Sequence, residues 1–154
     1  LVELFTHEDV EPFLAAVRAK GREEILAEIS RSEAEPDAFG VFIVEVDGES
    51  AGTMRFERAN KRSRIADLGC LAVHPDFRGA KVADTAAQLF QRHLFHDLGI
   101  HRLQMEIYGF NERAMAHAER SGFIREGVRR KAYWRNDEWV DSVLYGLVAE
   151  DIAD

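Results

Sequence analysis

The chain has 154 residues, of which 46% are hydrophobic and 31% charged, a composition that excludes disordered, collagen-like and coiled-coil proteins. Its 20 basic and 28 acidic residues give a formal net charge of −8. This balance disfavours binding to nucleic acid, because phosphate neutralisation needs the opposite charge, and it favours cationic partners. The length predicts a single domain over residues 1–154.

Helices followed by a β-meander are predicted for the first half of the chain. Thr6 and Asp9 are typical of a helix start, and Gly21 of its end. Asp47 and Gly48 are the residue pair of a two-residue hairpin turn. The elements predicted here are helices over 6–21 and 25–29 and strands over 41–46, 50–56 and 65–73, with a basic turn over 58–64.

The second half is predicted to alternate helices and strands. The longest amphipathic helix runs from Gly79 to His96, and a strand covers Arg102 to Tyr108. Asn111 is a predicted N-cap of the next helix. Strands over 123–134 and 139–147 complete a hairpin. The order predicts an α/β or α+β sheet partly covered by helices.

The sequence predicts a cytoplasmic protein without a metal. No run approaches the roughly 20 apolar residues that a membrane span needs, and residues 1–10 lack the basic start of a secretion signal. The single cysteine, Cys70, cannot form an intramolecular disulfide, and no Cys and His residues have zinc spacing. We therefore expect a reducing compartment and no membrane partner.

The segment that follows the third predicted strand has the pattern of a phosphate-binding turn. Residues 71–83 read LAVHPDFRGAKVA, a strand that enters a short Gly-containing turn and then a long helix. Backbone N–H groups and the positive end of the helix would converge there, as they do around phosphates. Taken alone, the pattern fits an unliganded βα turn more often than a diphosphate site.

This segment resembles motif A of the GNAT superfamily of N-acetyltransferases, in outline V-x-P-x-x-R-G-x-G-x-A. A second segment is similar to the family pattern N-x-x-A…E-x-x-G-F, and the tail looks like the Rim-type branch. The matching residues are Val73, Pro75, Arg78, Gly79 and Ala83, then Asn111, Ala114, Glu119, Gly122 and Phe123. The resemblance implies an acyl-CoA N-acyltransferase fold, with a mixed, mostly antiparallel sheet and helices on both faces.

The resemblance also implies acetyl-CoA as co-substrate. Strand residues 71–73 would pair with its pantetheine arm, backbone N–H groups over 78–84 would hold its pyrophosphate, and Asn111 would bind the arm from the other side. The implied acetyl-CoA-binding residues are Leu71, Ala72, Val73, Arg78, Gly79, Ala80, Lys81, Val82, Ala83, Asp84, Asn111 and Ala114.

Two positions depart from the family pattern. Lys81 stands where the family has its second glycine, so its side chain would either crowd the phosphate or add a counter-charge to it. Ala118 stands where relatives often carry the tyrosine that protonates the leaving thiolate. Water, Tyr108, Tyr133 or Tyr145 are the alternatives for that role.

Two carboxylates are candidate general bases. Glu106 lies five residues before Asn111, where Rim-type relatives carry a catalytic glutamate, and strand alternation places it opposite Leu103 and Ile107. Asp67 is the second candidate, on the strand that leads into motif A. For each of them a solvated strand residue is an equally weighted interpretation.

The resemblance implies direct transfer of an acetyl group to a primary amine, of a small molecule or a protein N-terminus, in a ternary complex. The acidic balance favours a cationic acceptor, and an exposed terminal hairpin is compatible with a homodimer. Two alternatives stay open: a catalytically silent acyl-CoA-binding module, and an RNA- or ribosome-associated protein. Two basic clusters are interpreted first as solvated hairpin edges, and the alternative is contact with the adenosine phosphates of CoA or with RNA. They are Arg55, Arg58, Lys61, Arg62 and Arg64, and Arg125, Arg129, Arg130, Lys131 and Arg135.

Overall fold

A computed structural model gives the structure of the chain and describes residues 21–79 and 81–152. The predicted first helix, with Thr6 and Asp9, lies outside the described residues, and so does Ala80. Within the described part, no helix is long and apolar enough to cross a membrane.

The described residues form three α-helices and a six-stranded sheet. The elements are α1 (Arg22–Ala34), β1 (Phe39–Val46), β2 (Glu49–Asn60), β3 (Ile65–Val73), α2 (Val82–Arg92), β4 (Arg102–Tyr108), α3 (Glu112–Arg120), β5 (Ile124–Arg135) and β6 (Glu138–Val148). The strand order is β1-β2-β3-β4-β6-β5. The pairs β1–β2, β4–β6 and β5–β6 are antiparallel and β3–β4 is parallel, which confirms the predicted mixed, mostly antiparallel class.

The chain forms two compact units. Among the described residues, the first contains 21–58 together with 68–79 and 81–86, and the second contains 59–67 together with 87–152. The single domain predicted from the length therefore stays a prediction, and the units are described one at a time.

The β1–β2 hairpin organises the first unit. Asp47 and Gly48 both have left-handed backbone, with φ of 51° and 82°, as the predicted two-residue turn requires. The second strand runs on to Asn60, beyond the predicted end at residue 56, because pairing continues to Phe39 opposite Glu57. Residue 58 therefore belongs to β2 and not to the basic turn.

A glycine allows two backbones of the first unit to approach closely. A Cβ atom built on Gly52 would overlap the backbone oxygen of Ala72 and would lie 3.2 Å from the Cα of Val73. The backbone of β3 is therefore seated directly against Gly52. Both residues are among those that the family resemblance predicts to pair with the pantetheine arm.

The second unit is built on β4 and β6. Leu103 and Ile107 of β4 are buried, while Glu106 between them is exposed, which confirms the predicted alternation. Tyr145 and Leu147 of β6, each 1% exposed, join the same core. The helix predicted over residues 79–96 is shorter in the structure. The α-helix α2 begins at residue 82, and a π-helical turn follows it after residue 92.

A polar network crosses the exposed side of β4. Arg102 makes a two-pronged ion pair with Glu126, and its Nε–H also donates to the amide oxygen of Gln104 at 3.1 Å. The amide nitrogen of Gln104 in turn donates to Asp67 at 2.7 Å. The hydrogen bond from Arg102 lowers the pKa of Glu126 below its usual 4.5.

Replacement of Gly52 by alanine tests the close approach of β2 to β3. We expect Gly52→Ala to lower the free energy of unfolding by about 1–3 kcal/mol, because backbone atoms cannot yield to the new methyl group. Gly69→Ala is the matched control on β3, where a Cβ meets nothing within 4 Å. Urea unfolding measures both, and equal stability of the two variants would contradict the packing described.

Acid titration tests the Glu126 ion pair. Because its pKa is lowered in the folded chain, the pair stabilises the fold above pH 4.5, and this contribution is lost as the pH falls through the lowered pKa. We expect Glu126→Gln to be less stable than the natural chain by under about 1 kcal/mol at pH 7, since the carboxylate is 39% exposed. The difference should shrink below pH 4.5 in denaturant unfolding; a difference constant down to pH 3 would exclude the assignment.

Candidate functional site

The end of β3 is fixed by hydrogen bonds within the first unit. The N–H of His74 donates to the backbone oxygen of Ala51 at 2.7 Å. The Nε–H of Arg78 donates to the backbone oxygen of Val73 at 3.2 Å, so the Arg78 side chain folds back on the strand that precedes it. A single 3₁₀ turn over Pro75–Phe77 lies between them. Hydrogen bonds at His74 and Arg78 therefore hold both ends of the turn before the helix begins.

The start of α2 presents backbone N–H groups. Gly79 and Lys81 have left-handed backbone, with φ of 86° and 58°. The N–H of Thr85 donates to the carbonyl of Lys81 at 3.0 Å, so intrahelical bonding begins there. The three preceding groups, over residues 82–84, are the first-turn N–H groups that have no intrahelical acceptor in a helix. A Cβ on Gly79 would meet nothing within 4 Å, so the turn is open at this point.

Lys81 occupies a backbone conformation that favours glycine. A left-handed residue with a side chain costs about 1–2 kcal/mol relative to glycine. This explains in physical terms why the family pattern has glycine at this position. The side chain of Lys81 is exposed, so the lysine does not fill the turn with buried atoms.

Asn111 caps α3, as predicted. Its side-chain oxygen accepts the N–H of Ala114 at 3.2 Å, and its own N–H donates to the carbonyl of Tyr108 at 2.9 Å. Both predicted residues therefore have a structural role at the start of this helix. Ala118 further along the helix is 1% exposed and belongs to the core.

Glu106 lies at the centre of a cluster on β4, β5 and β6. Its Oε2 accepts hydrogen bonds from the hydroxyls of Tyr133 at 2.8 Å and Ser142 at 2.9 Å. Its Oε1 lies 2.8 Å from Nη1 of Arg129. The carboxylate side chain keeps 34% of its surface exposed. Three donors thus hold one carboxylate that still faces solvent.

The donors to Glu106 differ in how firmly they are held. Ser142 is 1% exposed, and it places its hydroxyl on Glu106 from the buried middle of β6. The hydrogen bond to Glu106, with partial desolvation, raises the pKa of Tyr133 above its ordinary value of 10.0. Tyr133 is therefore protonated at neutral pH and acts as a donor to the carboxylate.

Aromatic rings adjoin this carboxylate. Tyr108 stacks on Phe110 with ring centroids 5.3 Å apart and meets Tyr133 edge to face at 5.8 Å. The guanidinium carbon of Arg135 lies 5.7 Å from the Tyr108 ring centroid. The aromatic faces and the carboxylate together form an environment that accepts cations.

Asp67 has a different setting from Glu106. It pairs with Gln104 in the short parallel ladder of β3 and β4, and its carboxylate accepts from the Gln104 amide. That amide belongs to the network of Arg102 and Glu126, so Asp67 ends a structural chain of hydrogen bonds. Among the described residues, no group of three or more His, Cys, Asp or Glu is arranged to hold a metal ion.

The sequence did not reveal the partners of Glu106. Ser142, Arg129 and Tyr133 come from two other strands. Ser142 pairs with both Tyr108 and Arg129, and Tyr133 pairs with Val140, so the three residues share one face. The alternation of side chains along the strands could have predicted this shared face, but only if the strand register had been known. Trp134 and Trp139 are in contact across the last hairpin, with ring centroids 5.2 Å apart.

With this geometry established, comparison with known proteins gives the family. The acetyltransferase (GNAT) domain family matches residues 1–124. The chain therefore belongs to the GNAT family, as the resemblance of its two motifs predicted.

Curated relatives include three bacterial acetyltransferases. An uncharacterised prophage-derived N-acetyltransferase of Bacillus subtilis, YokL, is 26% identical over 76% of this chain and 66% of its own length. A spermidine N(1)-acetyltransferase of Escherichia coli is 28% identical over 66% of this chain and 54% of its own length. A putative ribosomal N-acetyltransferase of B. subtilis, YdaF, is 26% identical over 68% of this chain and 57% of its own length. The chain thus spans about half to two thirds of the length of these relatives.

Solved structures share the fold. Mycobacterium smegmatis RimJ in complex with CoA-disulfide superposes with a TM-score of 0.84 at 22% identity, covering 99% of this chain and 77% of that one. Spermidine N-acetyltransferase of Vibrio cholerae, in complex with CoA and spermine, superposes with a TM-score of 0.85 at 16% identity, covering 97% of this chain and 88% of that one. At these identities the likeness establishes the fold.

A pair of substitutions tests the left-handed conformation of Lys81. We expect Lys81→Gly to be more stable than Lys81→Ala by about 1 kcal/mol, because only glycine is free of the left-handed penalty. Both variants lose the same side chain, so their difference isolates the backbone. In a right-handed helix position the order would be reversed. Thermal and urea unfolding measure the difference in stability between the two variants. An alanine variant equal to or more stable than the glycine variant would exclude this backbone geometry.

Proposed function

We propose that this protein is an N-acetyltransferase that moves the acetyl group of acetyl-CoA to a primary amine by direct transfer in a ternary complex. The observation that carries the proposal is the junction of β3 and α2, where Gly79 and Lys81 turn the backbone so that first-turn N–H groups are presented together. That geometry occurs in a chain of the GNAT family, at the position of its motif A.

The residues at this junction fit a diphosphate. Backbone N–H groups over residues 82–84 and the positive end of α2 would bind it, and the exposed Lys81 would add a counter-charge. The β3 backbone over residues 71–73 would pair with the pantetheine arm. When bound, acetyl-CoA supplies a thioester-activated acetyl group and a thiolate leaving group.

The acceptor amine must lose a proton before it can attack the thioester. An alkylammonium ion has a pKa of about 10.4, so freeing its lone pair at pH 7 costs about 5 kcal/mol. In our proposal Glu106 takes up that first proton, directly or through water, and passes it to solvent. The amine nitrogen then bonds to the acetyl carbon as the carbon–sulfur bond breaks, and its second proton ends on the departing sulfur.

The structure also bears on the candidates for the general acid. Tyr145 is 1% exposed, and its hydroxyl donates to Glu119 at 3.1 Å, which disfavours a role at a solvent-facing site. Tyr133 is protonated and 40% exposed, although its hydroxyl is engaged with Glu106. Tyr133 or water therefore fits the role better than Tyr145.

A cationic acceptor fits the charge of the chain and the cluster around Glu106. The formal charge of −8 attracts cations, and the carboxylate with its aromatic neighbours suits an ammonium group. Relatives named for spermidine and ribosomal acetylation support a primary amine of a polyamine or a protein N-terminus. The homodimer and the cytoplasmic location stay predictions.

Substitution of Glu106 tests its role as the base. We expect Glu106→Gln to lower kcat/KM near pH 7 by about 100-fold or more, as general-base removal does, because the amide cannot take up the proton. Acetyl-CoA affinity, measured by calorimetry, should stay near that of the natural chain. Thiol release from acetyl-CoA with a panel of primary amines supplies the rates. An unchanged rate would remove Glu106 from the mechanism.

Asp67→Asn is the matched control, because it removes the other candidate carboxylate from the same face. We expect it to change kcat/KM by less than about threefold, since Asp67 serves the Gln104 network. A large loss in this variant alone would transfer the base role to Asp67. Tight acetyl-CoA binding without turnover for any amine would favour the silent binding module, and no binding at all would reject both.

A further inference from the structure

The two carboxylate oxygens of Glu106 have different partners. Oε2 is held by two neutral hydroxyls, and one of them, Ser142, is buried in the middle of the sheet. Oε1 faces Arg129, a charged side chain that keeps 59% of its surface exposed. The first oxygen is therefore fixed by the framework, whereas the second is paired with a group that can move into solvent at little cost.

A second guanidinium group of the same strand lies against the aromatic part of the cluster. Arg135 sits over the Tyr108 ring, which is stacked on Phe110 and adjoins Tyr133. Carboxylate oxygens and aromatic faces are the two surfaces that bind ammonium ions. In this structure both surfaces are covered by cations that β5 itself supplies.

We propose that Oε1 of Glu106 is an exchange position, where the Arg129 guanidinium stands in for the ammonium group of the acceptor and is displaced by it. The inference rests on the proposed function and deepens it, because it assigns where the ammonium group of the acceptor binds and which residue it displaces. Arg129 is then a specificity-determining residue. It selects for ligands that can displace a guanidinium group from the carboxylate, and it disfavours neutral amides and alcohols.

The exchange makes a prediction about binding that is opposite to the usual effect of deleting a contact. An acceptor must pay for breaking the ion pair of Arg129 and Glu106, so removal of Arg129 should tighten acceptor binding. An exposed pair is worth up to about 1 kcal/mol, which corresponds to about a fivefold change in affinity. If Arg129 instead only orients the carboxylate, its removal should weaken binding.

Calorimetry with 1,4-diaminobutane as the probe, at low salt and without acetyl-CoA, tests this. We expect Arg129→Gln to bind the diamine about three- to fivefold more tightly than the natural chain, and Arg129→Lys, which keeps the cation, to stay within about twofold of it. Arg130→Gln is the matched control, because it makes the same change of net charge at the adjacent exposed residue. It should leave the affinity within about twofold of the natural value.

A double variant isolates the carboxylate. Adding Glu106→Gln to Arg129→Gln should remove the whole gain, since no charged oxygen is left to exchange. Melting temperatures of all variants confirm that they are folded. Equal tightening in Arg129→Gln and Arg130→Gln would show a general charge effect and overturn the proposal, as would weaker binding in Arg129→Gln or no diamine binding by either the natural chain or this variant.

The outcome separates this inference from the proposed function. Exchange behaviour in calorimetry together with no acetyl transfer to any amine would reject the transferase and leave the ammonium site standing. Acetyl transfer with no change of diamine affinity in Arg129→Gln would support the transferase and reject the exchange.

Discussion

The register of β4, β6 and β5 is the constraint on which the carboxylate cluster depends. Ser142 lies opposite Tyr108 on one side and Arg129 on the other, and this pairing brings the Ser142 and Arg129 donors to Glu106. Tyr133 pairs with Val140 and donates to Glu106 from beyond an irregularity in β5. Because side chains alternate across a sheet, a slip of one residue would turn Ser142 to the opposite face. The buried residues of β4 and β6 oppose such a slip, so packing on one face fixes the chemistry on the other.

Glu106 is held by contacts of two kinds. Tyr133 and Ser142 donate hydrogen bonds to one carboxylate oxygen, and Arg129 forms an ion pair with the other. Exchange of Arg129 for an acceptor would leave the two framework hydrogen bonds in place while the charge partner changes.

The first unit contributes a different kind of constraint, made of backbone. The close approach of Gly52 to Ala72 and the bond from Arg78 to Val73 fix the end of β3, and the left-handed residues then start α2. Lysine at position 81 retains the geometry of the family's glycine at a cost in backbone strain. The chain belongs to the GNAT family, and this turn lies at the position of the family's motif A. The chain covers only part of the length of its curated relatives.

The sequence by itself determined the elements, the family and the candidate carboxylates, because periodicity, caps and motif spacing are local properties. Strand Arg102–Tyr108, the cap at Asn111 and the exposed position of Glu106 all follow from residues near in the chain. Only the tertiary structure decided which carboxylate is surrounded by donors. Arg129, Tyr133 and Ser142 lie 23 to 36 residues from Glu106, and no local pattern encodes the strand register that brings them to it.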